Sequence, residues 1–268
     1  MIVWLDPARG AREHMRRDAL LLQRLEAAPP GSADAEPVLR VFTFVPPGIT
    51  LGAAQDPART LDLERCRRDG VEWAVRPTGG RAIFHDAEWT YSFAARIDDP
   101  AWGGGLQVAY GRLSALVHAS LAALGVPAVF AAARRVAPDP AEPVTDPLTP
   151  SCFASTARHE IELDGRKLVG SAQRRTHAAL LQQGSVLLGD GHLRLADYLA
   201  VRGDRRERAR AALAAHARPA GAWLADRDPA RWADALAGAA GTRVRRVSGD
   251  DGADLLTPGE AAAYAPRP

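Results

Sequence analysis

Apolar periodicity switches repeatedly along this chain between the helical and the strand repeat, and that alternation constrains the fold more than any single motif. Residues 11–27 set Met15, Leu22 and Leu25, with Ala19 in support, on one helical stripe, which Pro29-Pro30-Gly31-Ser32 ends. Val38 to Val45 is a β-branched and aromatic run that reads as a strand, stopped by Pro46-Pro47-Gly48. A short extended piece follows around Ile49 to Gly52. Asp56-Pro57 offers a cap and a first-turn proline for a helix expected to run to Asp69-Gly70. Extended segments at Val71 to Arg76, Ala82 to Phe84 and Trp89 to Ala95 lead to a long helix, Leu106 to Gly125. That helix carries Tyr110, Leu113, Val117, Leu121 and Leu124 at three-to-four spacing. Val126 to Phe130 reads as another strand.

Residues 134–151 hold five prolines and no periodic pattern, which predicts a long loop delivering the chain to Cys152. Ile161-Glu162-Leu163, the Asp164-Gly165 turn and Leu168-Val169 predict a hairpin, because Asp-Gly suits a two-residue primed turn. Further strand is expected through Leu180 to Leu188. After about residue 204 the composition turns to Ala, Arg and Asp, with helical character around 205–217 and 229–240. The pattern predicts an α+β or mixed α/β domain with a helical C-terminal appendage.

At 268 residues the chain can form one large domain or two small ones and bury a sizeable core. Its 47% hydrophobic and 25% charged content is ordinary for a globular protein. A formal charge of +2 is nearly balanced and gives no reason to expect nucleic acid. Arginine pairs such as Arg16-Arg17 and Arg67-Arg68 read as solvated helix faces. The opening MIVWLDPARG turns polar too soon for a secretory segment, and no apolar run approaches the ~18 residues of a membrane span. No membrane is therefore expected. Two cysteines far apart, without an export signal, predict free thiols in a reducing cytoplasm. The seven histidines are scattered, with no metal-ligand spacing and no phosphate-binding loop, so neither metal nor cofactor is expected.

Lys167 is the sole lysine against thirty-three arginines, in a chain that also lacks asparagine. A lone ammonium surviving that bias suggests a position where a planar, permanently charged guanidinium would not serve; the alternative is a chance survivor on a hairpin surface. Upstream, Arg76-Pro77-Thr78-Gly79-Gly80-Arg81 places a Gly-Gly turn before a strand. Such a turn allows close backbone approach to a ligand, and it is equally a plain structural device. Ser151-Cys152-Phe153 puts a thiol on the proline-rich approach, whereas Cys66 lies inside a helix between Glu64 and Arg67. An ammonium close to a thiol stabilises the thiolate, the nucleophilic form. From the residues alone, Cys152 reads either as such a nucleophile or as an inert thiol.

Four blocks in order, R-P-T-G-G-R-A-I-F-H-D from Arg76, C-F-A-S from Cys152, G-R-K-L-V-G-S-A-Q from Gly165 and L-Q-Q-G-S from Leu181, resemble the biotin/lipoate protein ligase superfamily. Within it they are similar to the cysteine-dependent octanoyltransferases that make the octanoylated precursor of lipoyl-proteins. The resemblance spans roughly residues 11–200 and includes Leu39-Arg40, Phe42 and Pro46-Pro47. It implies an α+β fold, a mixed, mostly antiparallel sheet flanked by helices, with a catalytic domain over 1–204. A helical C-terminal extension over 205–268 would pack on that domain.

The resemblance further implies that Cys152 forms an acyl-thioester and that Lys167 activates it and contacts the acyl carbonyl. Arg76, Gly79, Gly80 and His85 would line the acyl pocket, and Gly170, Ser171 and Ala172 would pack against the acyl group. The implied donor is octanoyl acyl carrier protein, and the implied acceptor is a lipoyl-domain protein such as the glycine cleavage H protein. A cytoplasmic monomer without a cofactor is expected. Two departures stand out: Ala154 occupies a position usually acidic in this group, and Gln183 one commonly histidine. A base for the acceptor lysine is not identified; His85 and His159 are the candidates.

Three other readings stay open at this level. One is an amidotransferase moving octanoyl between lipoyl domains. Another is an ATP-dependent lipoate ligase, against which stand Cys152 and the lack of the separate C-terminal domain of the two-domain ligases. The third is a non-catalytic acyl- or lipoyl-domain-binding protein.

Overall fold

The computed structural model describes residues 1–131 and 160–257, so Cys152 and His159 lie outside the described residues. In chain order the elements are β1 (Ile2–Leu5), α1 (Ala11–Ala27), β2 (Val38–Phe42), β3 (Gly48–Leu51), α2 (Pro57–Thr60) and α3 (Leu63–Arg68). Next come β4 (Glu72–Val75), β5 (Ile83–His85), β6 (Glu88–Arg96), α4 (Leu106–Ala123) and β7 (Val129–Phe130). Beyond the undescribed stretch follow β8 (Ile161–Leu163), β9 (Arg166–Arg175), β10 (Ala179–Leu187), α5 (Leu195–Tyr198), α6 (Asp204–His216), α7 (Pro229–Ala239) and β11 (Arg245–Ser248).

Eight strands form one sheet in the order β11-β1-β2-β6-β10-β9-β8-β7, and β4-β3-β5 form a second. The large sheet is parallel at β11-β1 and β1-β2 and antiparallel elsewhere, the mixed, mostly antiparallel arrangement expected. Strand β6 shows how the sequence builds its layers. Trp89, Tyr91 and Phe93 point to one face, where they pack with Leu113, Val117 and Leu121 of α4 and Trp232 and Leu236 of α7. The alternate residues Thr90, Ser92 and Ala94 face the other way. On that side α1 covers part of the sheet through Leu21, Leu22 and Leu25 against Val38, Ala94 and Leu181. The small sheet has its own apolar centre, Ile49, Leu51 and Phe84 with Leu61, Cys66, Leu195, Tyr198 and Leu213.

Local chemistry explains both the agreements and the differences. Asp164 and Gly165 take positive φ values of 51° and 69°, the primed turn that the Asp-Gly pair predicts. The helix expected from Pro57 to Asp69 is instead two short pieces. Leu61 turns extended into the small-sheet core, and the Asp62 carboxylate restarts the helix by accepting from the Arg65 N–H at 3.0 Å. The last segment carries helices α6 and α7, as its composition indicates, and also strand β11, which pairs along β1 at the sheet edge. Strands β1 and β11 were not read from the sequence. Four residues are too few to show a repeat, and β11 is mostly exposed and polar, held by backbone pairing.

A buried charge cluster ties these layers together. Arg40 on β2 is fully buried, donating from Nε to Asp6 at 2.8 Å and from Nη1 to Asp18 on α1. His14 accepts from Arg40 at Nδ1 (2.7 Å), and its Nε2 lies 3.0 Å from the Thr43 carbonyl and 3.1 Å from the Arg9 backbone nitrogen. Removing one member of such a cluster leaves a desolvated charge without its partner. Arg40→Leu should therefore lower the unfolding free energy by about 3–5 kcal/mol in urea melts, whereas Arg67→Ala, at an exposed pair with Glu64, should shift it little.

The same cluster sets a pH dependence. Burial, then the Arg40 charge, lowers the His14 pKa from 6.5 to about 2. The unfolded chain takes up that proton near pH ~6.5, so His14's contribution is complete above that pH and is lost as pH falls toward 2. The thermal midpoint should decline below pH ~6.5, and His14→Gln should flatten that part of the decline.

Candidate active site

A cleft of about 390 Å³ opens between the two sheets, within the usual range for small-molecule sites. Its floor is a run of small side chains on adjacent strands. Gln183 pairs with Ala172, Ser185 pairs with Gly170, and Thr90 lies opposite Ser185 on β6. Small floor residues leave the sheet face open where α1 does not reach. The opposite wall comes from the small sheet and its loop: Thr50, Arg76, Gly80, Arg81, Ile83 and His85.

Lys167 reaches this cleft because of a β-bulge. Val169 pairs with Ile161 and Lys167 with Glu162, so β9 uses two residues where β8 uses one, with Leu168 the extra residue. The bulge breaks the ordinary alternation and brings Lys167 over Gly170. A Cβ on Gly170 would lie 3.7 Å from Lys167 Cε. Lys167 Nζ donates to Glu160 Oε1 at 2.8 Å, and both residues are 7% exposed. The chain after α6 braces this point, since the Arg218 N–H donates to the Lys167 carbonyl at 2.9 Å. Nearby, the half-buried phenol of Tyr110 is pushed to a raised pKa by loss of solvation first, then by Tyr91 and the Glu160 carboxylate, so it stays neutral. The Ser171 hydroxyl turns away to the Tyr91 hydroxyl at 2.8 Å. That contact exists because Gly184 leaves room for the Tyr91 ring, which a Cβ there would meet at 2.4 Å.

The glycine loop is held by Arg76. Its guanidinium donates to the Gly79 carbonyl from Nε (3.1 Å) and Nη2 (2.7 Å), to the Arg81 carbonyl (2.8 Å) and to Thr50. Gly80 adopts φ +91°, and its carbonyl approaches so closely that a Cβ on Gly52 would lie 1.9 Å from it. His85 stacks on Phe44 with centroids 4.0 Å apart. Both its ring nitrogens are engaged, Nδ1 with Glu88 Oε1 at 2.6 Å and Nε2 with the Thr50 hydroxyl at 2.7 Å. Glu88 Oε1 also accepts from Thr90 and Ser185. Gln183 accepts from the Thr78 hydroxyl at 2.7 Å and donates to Asp18 at 2.5 Å. It therefore links the loop to the Arg40 cluster and carries no titrating proton.

The structure thus brings Lys167, Arg76, Gly80, His85, Gly170, Ser171 and Ala172 to one cleft. Gly79 does not line it and contributes its carbonyl to Arg76 instead. Cys152 lies outside the described residues. Sequence reading missed Glu160, Tyr110, Thr50 and Ser185 as cleft residues. Each comes singly from a different element, and only Glu160, seven positions before Lys167, carried even a proximity signal.

The site is thus a glycine-bordered cleft between two sheets of an α+β domain, with a buried lysine–carboxylate pair on its wall. The chain belongs to the lipoyl protein ligase A/B catalytic domain family, whose model matches residues 11–219. It is similar to octanoyltransferase LipM of Moorella thermoacetica, 39% identical over 171 residues covering 64% of this chain and 58% of that one. Octanoyltransferase LipM of Symbiobacterium thermophilum is 37% identical over 158 residues, 59% of this chain and 56% of that one. The chain thus spans less than two thirds of the length of these relatives. Its fold is similar to a structure from an archaeal lipoylation system, a bi-partite lipoate protein ligase and its E2 lipoyl domain from Thermoplasma acidophilum (TM-score 0.68, 17% identity, 95% and 89% of the two chains). A lipoate-protein ligase A bound with ATP is alike in fold as well (TM-score 0.65, 18% identity, 95% and 91%).

The two loop glycines should separate in a melt. Gly80→Ala forces a Cβ onto a positive φ and within 2.6 Å of Arg76 Nη2, and should cost about 1–2 kcal/mol. Gly79→Ala meets nothing within 4 Å and should stay within about 0.5 kcal/mol of the parent.

Proposed function

We propose that this chain is an octanoyltransferase of lipoate assembly, moving octanoyl from acyl carrier protein to the lysine of a lipoyl-domain protein through a thioester on Cys152. The observation that carries the reading is the sole lysine, buried and ion-paired in a cleft floored by Gly170, Ala172 and Ser185. The named activity of the matched relatives supports it. The E2 lipoyl domain that belongs to the T. acidophilum lipoylation system supports a lipoyl-domain acceptor, such as the glycine cleavage H protein. A cytoplasmic site follows from this reading; among the described residues, no helix is long and apolar enough to cross a membrane.

In the first half-reaction the Cys152 thiolate attacks the donor carbonyl, the C–S bond to the carrier breaks with its electron pair going to the carrier sulfur, and the carrier thiolate takes a proton from water. The Lys167 ammonium stabilises the thiolate and then the charge developing on the carbonyl oxygen. In the second half the acceptor amine attacks the enzyme thioester and an amide forms. Thioester to amide is downhill, so ATP is not consumed.

Incubation with octanoyl carrier protein without ATP should give a hydroxylamine-labile octanoyl adduct by intact mass, absent from Cys152→Ser. An absent adduct in the parent, or lipoylation that needs ATP and survives Cys152→Ser, overturns the reading. Lys167→Arg should fold yet lose at least about 100-fold in transfer, because the wider guanidinium cannot take the ammonium's place beside Glu160.

A further inference from the structure

The proposed reaction requires a proton acceptor. A lysine side chain reaches the enzyme as an ammonium, which has no lone pair for attack. The charged and titratable groups lining the cleft come from several elements: Arg76 and Arg81 from the glycine loop, His85 from β5, Tyr110 from α4, Lys167 from β9 and Glu160 before β8. Arg76, Arg81 and Lys167 are cations. Tyr110 is a neutral phenol. The His85 ring nitrogens are committed to Glu88 and Thr50. Gln183, bridging Asp18 and Thr78, accepts no proton. Among the described residues lining the cleft, Glu160 is the one carboxylate.

We propose that Glu160 is the base that deprotonates the incoming lysine, a role that rests on the octanoyl-transfer reading. Its position is fixed twice. The Glu160 carbonyl accepts from the Ala131 N–H at 2.8 Å, and Lys167 holds its carboxylate at 2.8 Å. Electrostatics favours the same role. Once the thiol is acylated, it carries no charge, while Glu160 remains a carboxylate paired with Lys167. A second ammonium entering a cleft that already holds Lys167, Arg76 and Arg81 is repelled unless a carboxylate meets it. The acceptor ε-ammonium gives one proton to the Glu160 carboxylate. The freed lone pair forms the C–N bond, and the C–S bond breaks with its electron pair going to sulfur. The second nitrogen proton passes to that thiolate, regenerating the thiol, and Glu160 later releases its proton to water.

The test uses the full chain and the variants Glu160→Gln and Glu160→Asp, with folding checked by circular dichroism. Enzyme is acylated with octanoyl carrier protein, and single-turnover transfer to a lipoyl-domain protein is then followed from pH 6 to 10. Glu160→Gln should still form the acyl-enzyme, and its transfer near pH 7 should fall by about 100-fold or more. The deficit should shrink as pH approaches the lysine pKa of ~10.4, where the acceptor supplies free amine itself. Glu160→Asp should recover part of the rate. Transfer by Glu160→Gln at the parental rate, or a deficit equal at every pH, overturns the role of Glu160 while leaving octanoyl transfer intact. Should Glu160→Gln not fold, Glu160→Asp with a parental rate and profile overturns it equally. A parent chain that forms no acyl-enzyme overturns the underlying reading, and this role with it.

Discussion

Arg40 is the constraint on which the rest of this molecule depends. A guanidinium removed from water persists only where carboxylates and further acceptors surround it. Here Asp6 at the end of β1, Asp18 and His14 on α1 and Ser92 on β6 do so, and one buried charge thereby sets the first strand, the first helix and the centre of the sheet in a single arrangement. The hydrogen bonds continue outward. Asp18 accepts from Gln183, and Gln183 accepts from Thr78, which begins the glycine loop. Packing and cleft are therefore one connected network.

The cleft owes its existence to what the sheet face lacks. Gly170, Ala172, Thr90 and Ser185 are too small to fill the space below the second sheet, so the apolar cores close around a gap. Into that gap the β9 bulge sends Lys167, and the residue immediately before β8 is Glu160. A lysine and a carboxylate buried together are stable as a pair.

How far the sequence could be read follows from how local each feature is. Helices α1 and α4 carry their apolar stripe in their own residues, and the Asp164-Gly165 turn is decided by two residues that tolerate positive φ. These were readable. The interruption at Leu61 was not, because Leu61 leaves the helix to join a core built from Leu195, Tyr198 and Phe84, far away in sequence. Strand β11 was not, since its side chains are mostly exposed and its reason to be a strand is the unpaired edge of β1. Within the cleft, Lys167, Gly80, His85, Gly170 and Ala172 stood out because they sit in dense blocks. Glu160, Tyr110 and Thr50 act alone, and a lone residue has no pattern to betray it.

By itself, the amino-acid order determined the class of fold, the hairpin that carries Lys167, the small-residue blocks that border the cleft and the resemblance that names a chemistry. Those properties depend on neighbours within a few positions. Only the tertiary structure decided that Gly79 faces Arg76 and not the cleft, that both nitrogens of His85 are occupied, and that Gln183 joins the loop to a buried arginine. It also decided that the sole lysine shares its site with Glu160. Charge pairing and hydrogen bonding act over a few Å in space whatever the separation in sequence, and only the folded chain brings those atoms within that reach.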